Sequence, residues 1–186
     1  MTEVDKIVET LDGGGIIIYP TDTIWGLGCD ATNEGAVDRI FEIKRRPKTK
    51  PFVILVSSID MLKKFVDDVH PRLETLLAYH QRPLTVIYRK PKNLPANVTG
   101  GSSTVAVRIA TDLFCREVIE AFGKPIVATS ANFANEPFPT HFGSISSELI
   151  RKVDYVAKYK QDELSPSEPS VIVKLTDKSE LIFVRS

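Results

Sequence analysis

The chain has 186 residues, of which 42% are hydrophobic and 26% charged. This composition predicts one folded domain over residues 1–186 and excludes a disordered or collagen-like chain. The 24 Lys and Arg residues balance the 24 Asp and Glu residues, which argues against a surface dominated by contacts to nucleic-acid phosphates. A site for an anionic ligand is therefore expected to be local.

The cysteine and histidine residues predict neither a metal site nor a disulfide framework. Cys29 and Cys115 form no Cys-x-x-Cys pair, which excludes a zinc ribbon and a redox pair. His70, His80 and His141 are isolated from the cysteines and from one another, so no zinc ligands and no Ser-His-Asp arrangement are predicted. The acidic N-terminal segment is no signal peptide, and no apolar run reaches the ~18 residues of a membrane span. We expect a cytoplasmic protein without membrane contact.

Apolar periodicity and turn signals predict alternating helices and strands, which is typical of an α/β protein. The predicted elements, in chain order, are helix 4–11, strand 16–19, a polar loop 20–28, helix 34–44, strand 52–56, helices 59–66 and 71–79, strands 84–88 and 105–109, helix 113–122, strand 126–128, helix 145–153, a strand near 155, and a hairpin of strands 170–175 and 181–184. Pro20 is expected to end the first strand, and Thr32 or Asn33 to cap the second helix. Because hairpin strands are antiparallel, the sheet is predicted to be mixed.

The first candidate site is the polar loop Pro20-Thr21-Asp22-Thr23-Ile24-Trp25-Gly26-Leu27-Gly28. Loops that follow buried strands often hold ligands in α/β proteins. The threonine hydroxyls donate and accept hydrogen bonds, the carboxylate accepts from an ammonium group or holds a hydrated metal, and the glycines allow close backbone approach to a ligand. An ordinary turn with an Asp cap and a packed Trp explains the same residues, and composition does not decide between the two.

The second candidate is a run of five cations within seven residues, Lys44-Arg45-Arg46-Pro47-Lys48-Thr49-Lys50. A helix dipole accounts for one or two of them, at about 0.3–1 kcal/mol each. Pro47 is expected to end the helix and turn the chain back, so that Lys44, Arg46 and Lys50 converge on one polyanion. A solvated basic face is the alternative.

Five further residues carry polar groups at strand ends. Arg108 ends an apolar strand, where a guanidinium needs an anionic partner, either an internal carboxylate or a ligand phosphate. Ser130 and Asn132 follow a short buried strand, where accessible backbone N–H groups form an anion-binding nest, although a helix cap or an Asx turn explains them equally well. Ser170 opens one strand and Arg185 closes another.

The common nucleotide-binding motifs are absent from the sequence. No Gly-x-x-x-x-Gly-Lys-Ser/Thr occurs, and Gly26-Leu27-Gly28 lacks the third glycine of a dinucleotide fingerprint. What remains is an α/β domain with cations and hydroxyls at several strand ends. This pattern suits a polyanionic small molecule such as a nucleoside triphosphate.

The order of these segments resembles the YrdC family of threonylcarbamoyl-AMP synthases over roughly residues 4–185. The matching runs are Pro20-Thr21-Asp22-Thr23-x-x-Gly26-Leu27-Gly28, Lys44-x-Arg46-Pro47 with Lys50-Pro51, Val105-Ala106-Val107-Arg108, and Ser130-Ala131-Asn132. The chain departs from the family pattern at Trp25, His80-Gln81-Arg82, Phe133-Ala134, Phe138 and Val171. The resemblance implies a twisted mixed α/β sheet with flanking helices around a large basic cavity, in a single domain without the C-terminal domain of longer members.

The resemblance also implies a nucleotidyltransferase that converts L-threonine, bicarbonate and ATP, with Mg²⁺, into L-threonylcarbamoyladenylate and pyrophosphate. A tRNA threonylcarbamoyl transferase complex would then modify an adenosine of tRNA. The expected catalytic residues are Lys44, Arg46 and Arg108. The expected substrate-binding residues are Thr21 and Ser170 near threonine, Lys44, Arg46 and Arg185 near the phosphates, Thr104 and Arg108 on the shared floor, and Ser130 and Asn132 on the nucleotide side. Thr23 and Lys50 are also expected to bind substrate. Such chemistry needs positioning and charge neutralisation more than an acid–base pair.

Two other readings use the same cavity. One is a non-catalytic RNA-binding or ribosome-associated module that holds tRNA or double-stranded RNA. The balanced net charge and the lack of interleaved aromatic residues argue against it. The other is a relative of carbamoyl-phosphate-type transferases that shares the fold but has a different acceptor.

Overall fold

The protein is described by a computed structural model, which covers residues 1–164 and 168–185 without the side chain of Arg185. The helices in this part of the chain are α1 (Glu3–Asp12), α2 (Glu34–Lys44), α3 (Ile59–Leu62), α4 (Pro71–Tyr79), α5 (Ala96–Thr99), α6 (Leu113–Phe122) and α7 (Ser147–Ile150). The strands are β1 (Ile17–Tyr19), β2 (Gly26–Gly28), β3 (Val53–Val56), β4 (Leu84–Arg89), β5 (Thr104–Ile109), β6 (Ile126–Ser130), β7 (Tyr155–Val156), β8 (Val171–Leu175) and β9 (Leu181–Arg185).

The strands form one mixed sheet in the order β7-β1-β2-β6-β3-β5-β4-β8-β9. The pairs β1–β7, β3–β5 and β4–β8 are parallel, and the other neighbours are antiparallel. Helix α1 packs against α6, and α2 packs against α5. The predicted α/β class, the mixed sheet and the closing hairpin are confirmed.

The local signals that start and stop the longer helices act as their chemistry predicts. Thr2 and Asp5 form a capping box on α1, and the side chain of Asn33 accepts a hydrogen bond at the start of α2. Gly123 ends α6 with φ 74°, a left-handed conformation that glycine adopts without strain. The bounds of α2, α4 and α6 therefore agree with the sequence prediction.

Five predicted features differ clearly from the structure. Residues 26–28 belong to β2 instead of a loop, and β6 runs on through Ser130 because Gly26 pairs with Ser130. Helix α2 ends at Lys44 because Arg45 takes φ 54°, so Pro47 is not the terminator. The predicted helices at 59–66 and 145–153 are single turns, α3 and α7. Tertiary pairing and packing override weak local signals in each case.

The glycines of β2 serve sheet packing. A Cβ atom on Gly28 would lie 2.6 Å from Cε1 of Tyr19 and 2.9 Å from the carbonyl oxygen of Val127. That ring cannot move away easily, because it is fully buried and its hydroxyl donates to the same carbonyl at 3.1 Å. Gly28 is thus explained by close strand contact, and not by approach to a ligand as expected from the sequence.

We expect Gly28→Ala to lower the free energy of unfolding by about 1–3 kcal/mol, because it overpacks the sheet. Gly35→Ala is the matched control. Gly35 lies exposed in the first turn of α2, where an added Cβ meets nothing closer than 3.5 Å, so alanine should stabilise by up to about 1 kcal/mol. Denaturant unfolding of both variants checks this, and an unchanged Gly28→Ala midpoint would contradict it.

One face of the sheet gathers the polar residues. Cross-strand partners point to the same side, so the register places Thr85, Arg108, Val53, Ala128 and Ser130 on one face. Ile126 and Arg108 lie at the same level of the sheet, because both pair with Leu55. Ser130 is four residues further along β6, so it lies about 13 Å from that level. This face carries the candidate site.

In the described residues, no helix combines the length and apolar character needed to cross a bilayer.

Candidate functional site

A cavity of about 220 Å³ lies over this polar face of the sheet. It is bounded by the loop between β1 and β2, the segment after α2, the ends of β5 and β6, and the chain before β8. The lining residues that the sequence analysis singled out are Thr21, Thr23, Arg46, Arg108, Ser130, Phe138 and Ser170. Segments far apart in sequence therefore meet in one cavity.

The two threonines of the loop form a local hydroxyl network. The hydroxyl of Thr21 donates to the carbonyl oxygen of Ile24 at 2.8 Å and accepts from the backbone N–H of Thr23 at 3.0 Å. Since the single Thr21 proton is used there, the Thr23 hydroxyl donates to Thr21 across 2.9 Å. Both side chains are buried at the cavity wall. The turn interpretation and the ligand interpretation of this loop are thus compatible.

Arg108 has an internal anionic partner. Its Nε atom lies 3.1 Å from Oδ1 of Asp22, and the two side chains are 7% and 3% exposed. The pair lacks the angle of a hydrogen bond, so both atoms keep unfilled hydrogen-bonding capacity. Asp22 also accepts from the N–H and hydroxyl of Thr111, at 3.1 and 3.0 Å. Of the two partners that the sequence left open, the structure therefore shows a carboxylate, while the guanidinium still borders the cavity.

Lys44 lies behind the cavity wall and not in its lining. Its ammonium donates to the carbonyl oxygens of Ser130 and Asn132 and to Oδ1 of Asn132, the last two at 2.7 and 3.1 Å. Burial, with a smaller effect of the Arg46 charge, lowers the pKa of Lys44 to about 7. The three acceptors oppose this shift, because an ammonium donates three hydrogen bonds and a neutral amine two. Lys44 thus holds the chain that follows β6.

The other cations of the basic run have separate contacts. Arg45 pairs with Glu148 at 2.9 Å, Lys48 pairs with Asp38 at 2.9 Å, and Lys50 is exposed outside the cavity lining. Of the expected cluster of Lys44, Arg46 and Lys50, the structure brings Arg46 alone to the cavity wall. The left-handed Arg45 redirects the chain after α2, which separates these side chains.

Arg46 is a half-buried guanidinium at the cavity wall. One terminal nitrogen donates to the carbonyl oxygen of Pro51 at 2.8 Å, and the group lies 5.0 Å from the ring centroid of Phe52. Burial lowers the pKa of Arg46. Its Nε atom is buried and has no hydrogen-bond partner in the described residues. One terminal N–H is engaged by Pro51, so the other terminal N–H groups of the guanidinium are the donors left for an anionic ligand.

The polar residues after β6 form a rigid turn. The Ser130 hydroxyl donates to Oδ1 of Asn132 at 2.6 Å, and Nδ2 of Asn132 donates to the carbonyl oxygen of Glu136 at 2.7 Å. Ser130 lines the cavity, whereas Asn132 lies behind it. The expected Asx turn is wrong, because Oδ1 of Asn132 accepts from the side chains of Ser130 and Lys44. The backbone N–H groups of Ala131, Asn132 and Ala134 donate to protein carbonyl oxygens, so the expected anion-binding nest is not formed by them.

Of the remaining predicted site residues, Ser170 lines the cavity and Thr104 does not. The Ser170 hydroxyl lies in the cavity wall, 2.7 Å from the hydroxyl of Thr85. Thr104 shares a strand face with Arg108 but lies outside the lining, 3.0 Å from the hydroxyl of Ser102. The side chain of Arg185 is outside the described part of the chain.

Sequence reasoning missed two polar residues that support the site. Thr85 is fully buried between Arg108 and Ser170, and a hydroxyl inside the apolar run 84–88 was the available signal. Thr111 fixes Asp22 from a distant segment, and nothing local in the sequence indicates that pairing.

Comparison with known proteins identifies the family. The Sua5_yciO_yrdC family, described as telomere recombination, matches residues 9–186. A threonylcarbamoyl-AMP synthase of Xanthomonas euvesicatoria pv. vesicatoria is 40% identical over 157 residues, which cover 83% of this chain and 84% of that relative.

Solved structures agree with this assignment. P. abyssi Sua5 in complex with L-threonine superposes with a TM-score of 0.85 at 28% identity, over 100% of this chain and 54% of that one. A substituted P. abyssi Sua5 gives a TM-score of 0.89 at 28% identity, over 100% and 57%. The chain spans a little over half the length of these two proteins. The resemblance found in the sequence is confirmed, and the chain belongs to the Sua5/YciO/YrdC family.

Proposed function

We propose that the chain is an L-threonylcarbamoyladenylate synthase, a nucleotidyltransferase that joins L-threonine, bicarbonate and the AMP part of ATP and releases pyrophosphate. The observation that carries this proposal is the meeting of two guanidinium groups, Arg46 and Arg108, with the hydroxyls of Thr21, Ser130 and Ser170 in one cavity. The activity named for a relative that is 40% identical over most of its length supports it.

The cavity suits transfer of a nucleotidyl group. The threonine amine and bicarbonate form a carbamate as a C–N bond replaces a C–O bond and water leaves. A carbamate oxygen then attacks the α-phosphorus, and the bond to pyrophosphate breaks. Negative charge accumulates on the phosphate oxygens during this step, so fixed cations lower the barrier without proton transfer by the protein. Arg46 and Arg108 supply that charge. Lys44 acts behind them by holding Ser130 and Asn132 in place.

The amino acid is proposed to lie against the β1–β2 loop and the start of β8. Thr21, Thr23 and Ser170 offer hydroxyls there, and the paired Asp22 and Arg108 lie beside them. P. abyssi Sua5 has been solved in complex with L-threonine, which supports L-threonine as the amino acid. For Lys50 and Thr104, outside the cavity lining, we propose contacts to substrate atoms that extend beyond it.

Magnesium is proposed to enter as part of the substrate, MgATP. No group of three or more His, Cys, Asp or Glu side chains suited to a metal occurs among the described residues. Asp22, at the cavity edge, is already engaged by Arg108 and Thr111. Phosphate oxygens and water would therefore supply the ligands, which suits a cation that keeps several waters.

The product is a reactive mixed anhydride that needs an acceptor. We propose that a tRNA threonylcarbamoyl transferase complex takes it up and transfers the threonylcarbamoyl group to an adenosine of tRNA. This role places the protein with tRNA in the cytoplasm.

Pyrophosphate release from ATP tests the proposed activity. The expected result is release that requires both L-threonine and bicarbonate, with threonylcarbamoyl-AMP identified by mass spectrometry. Release that ignores both additions would overturn the proposal. Salt-sensitive RNA binding without any turnover would favour the non-catalytic alternative instead.

We expect Arg46→Ala to lower kcat/KM for ATP by at least about 10-fold, because a charge-assisted contact is worth about 1.5–3 kcal/mol. Lys48→Ala is the matched control from the same basic run, and it should change kcat/KM by less than about 3-fold because Lys48 is exposed and pairs with Asp38 on the surface, away from the cavity lining. Steady-state kinetics with varied ATP measure both. Equal effects of the two substitutions would show that Arg46 has no special role.

A further inference from the structure

The aromatic ring of Phe138 is exposed inside the cavity. Its side chain is 43% exposed, and it lines the same cavity as Arg46 and Ser130. Among the large apolar residues exposed in the described chain, Phe138 alone belongs to this lining. An apolar ring left open to water in a polar cavity gains from being covered by a ligand.

The backbone holds this ring in a fixed position. Phe138 lies between Pro137 and Pro139, each of which fixes its own φ angle. Pro139 also restricts Phe138, the residue before it, to extended conformations. Pro139 is buried and anchors the segment. On the other side, Asn132 holds the carbonyl oxygen of Glu136, two residues before the ring. Binding against Phe138 therefore costs little ordering of the chain.

The ring has no aromatic or cationic partner among the described residues, unlike its neighbours. Arg45 lies over Phe133 at 4.6 Å, and Arg46 lies over Phe52 at 5.0 Å. The faces of those two rings are thus occupied by guanidinium groups of the protein itself. Phe138 offers the remaining flat apolar surface at the wall that also presents Ser130 and Arg46.

We propose that Phe138 stacks on the base of the nucleotide and gives the site a modest preference for purine over pyrimidine nucleoside triphosphates. The cations bind the phosphates of any nucleotide, whereas a stacking contact requires a base, and differences in stacking strength set a modest preference among bases. This inference rests on the proposed function, because it assumes that the cavity binds ATP. It assigns a specificity-determining role to a residue at which the chain departs from the family pattern.

Isothermal titration in the presence of Mg²⁺ tests the proposal with ATP, CTP and inorganic tripolyphosphate as ligands. Phe138→Ala should weaken ATP binding by about 5- to 150-fold, the usual range for loss of one stacked base. Tripolyphosphate has no base, so its affinity should stay within about 2-fold of wild type. The preference for ATP over CTP should shrink in the same variant. Phe138→Tyr should restore ATP binding, and Phe138→Leu should restore it only in part.

Equal weakening of ATP and tripolyphosphate, or unchanged ATP binding, in Phe138→Ala would overturn the proposal, as would a tyrosine variant as weak as the alanine one. Titration does not depend on turnover, so a wild-type protein that binds ATP but makes no adenylate defeats the proposed activity alone. A wild-type protein that binds neither ATP nor tripolyphosphate defeats both. Thermal melting confirms that each variant is folded.

Discussion

Replacing Arg108 with glutamine is expected to lower kcat/KM for adenylate formation by about 10²- to 10³-fold. Losses of this size follow when a fixed donor that stabilises developing charge is removed. Arg108 lies in the cavity wall beside Thr21 and is held in place by Asp22. Pyrophosphate release measured against ATP and L-threonine gives the loss for each substrate.

The same substitution also leaves a buried carboxylate without its cation. Asp22 is 3% exposed, and breaking a buried ion pair costs about 3–5 kcal/mol of stability. The double variant Arg108→Gln with Asp22→Asn separates the two effects. It should recover most of the stability, because no charge stays unpaired, while activity stays low. Recovery of activity in the double variant would show that Arg108 supports the fold and not the reaction.

Replacing Lys44 with methionine is expected to destabilise the protein by about 2–4 kcal/mol. The side chain is 2% exposed, and methionine fills similar space but removes three hydrogen bonds from the buried ammonium. Oδ1 of Asn132 keeps the Ser130 hydroxyl as a donor, and the carbonyl oxygen of Ser130 keeps the N–H of Asn132. The turn that carries Ser130 should loosen as well, so kcat/KM falls even where the variant is fully folded. Denaturant unfolding gives the stability, and kinetics well below the unfolding midpoint give the activity.

Lys48→Met is the matched control for Lys44→Met. Lys48 belongs to the same basic run, but its ion pair with Asp38 is on the surface, where such pairs contribute less than about 1 kcal/mol. Its stability and activity should therefore stay close to wild type. Similar losses in both lysine variants would mean that the buried contacts of Lys44 contribute no more to stability or activity than a surface ion pair.

The architecture could be predicted where local signals and packing agree. Helix α2 has a capping Asn33 and three inward apolar positions, and its bounds follow from the sequence. Residues 26–28 were misjudged because glycines are typical of loops. Their place in the sheet depends on β6, a hundred residues away, and on the close contact of Gly28 with Tyr19. No local pattern contains that information.

In the candidate site too, some features follow from the local sequence and others depend on the fold. The need of Arg108 for an anion follows from its burial in an apolar strand, but the identity of Asp22 as that anion depends on the fold. The basic run predicted an anion site, and the structure distributes its members among two surface ion pairs, a buried contact, an exposed lysine and the cavity wall. Arg45 has a left-handed conformation directly after α2, which is uncommon for a residue other than glycine and could not be predicted.

The most direct test of this account is a structure of the protein with a non-hydrolysable ATP analogue, Mg²⁺ and L-threonine bound together. The account predicts phosphate oxygens within hydrogen-bonding distance of Arg46 and Arg108, with the amino acid against Thr21 and Ser170. Ligands bound away from this cavity, or a nucleotide that touches neither guanidinium, would contradict it.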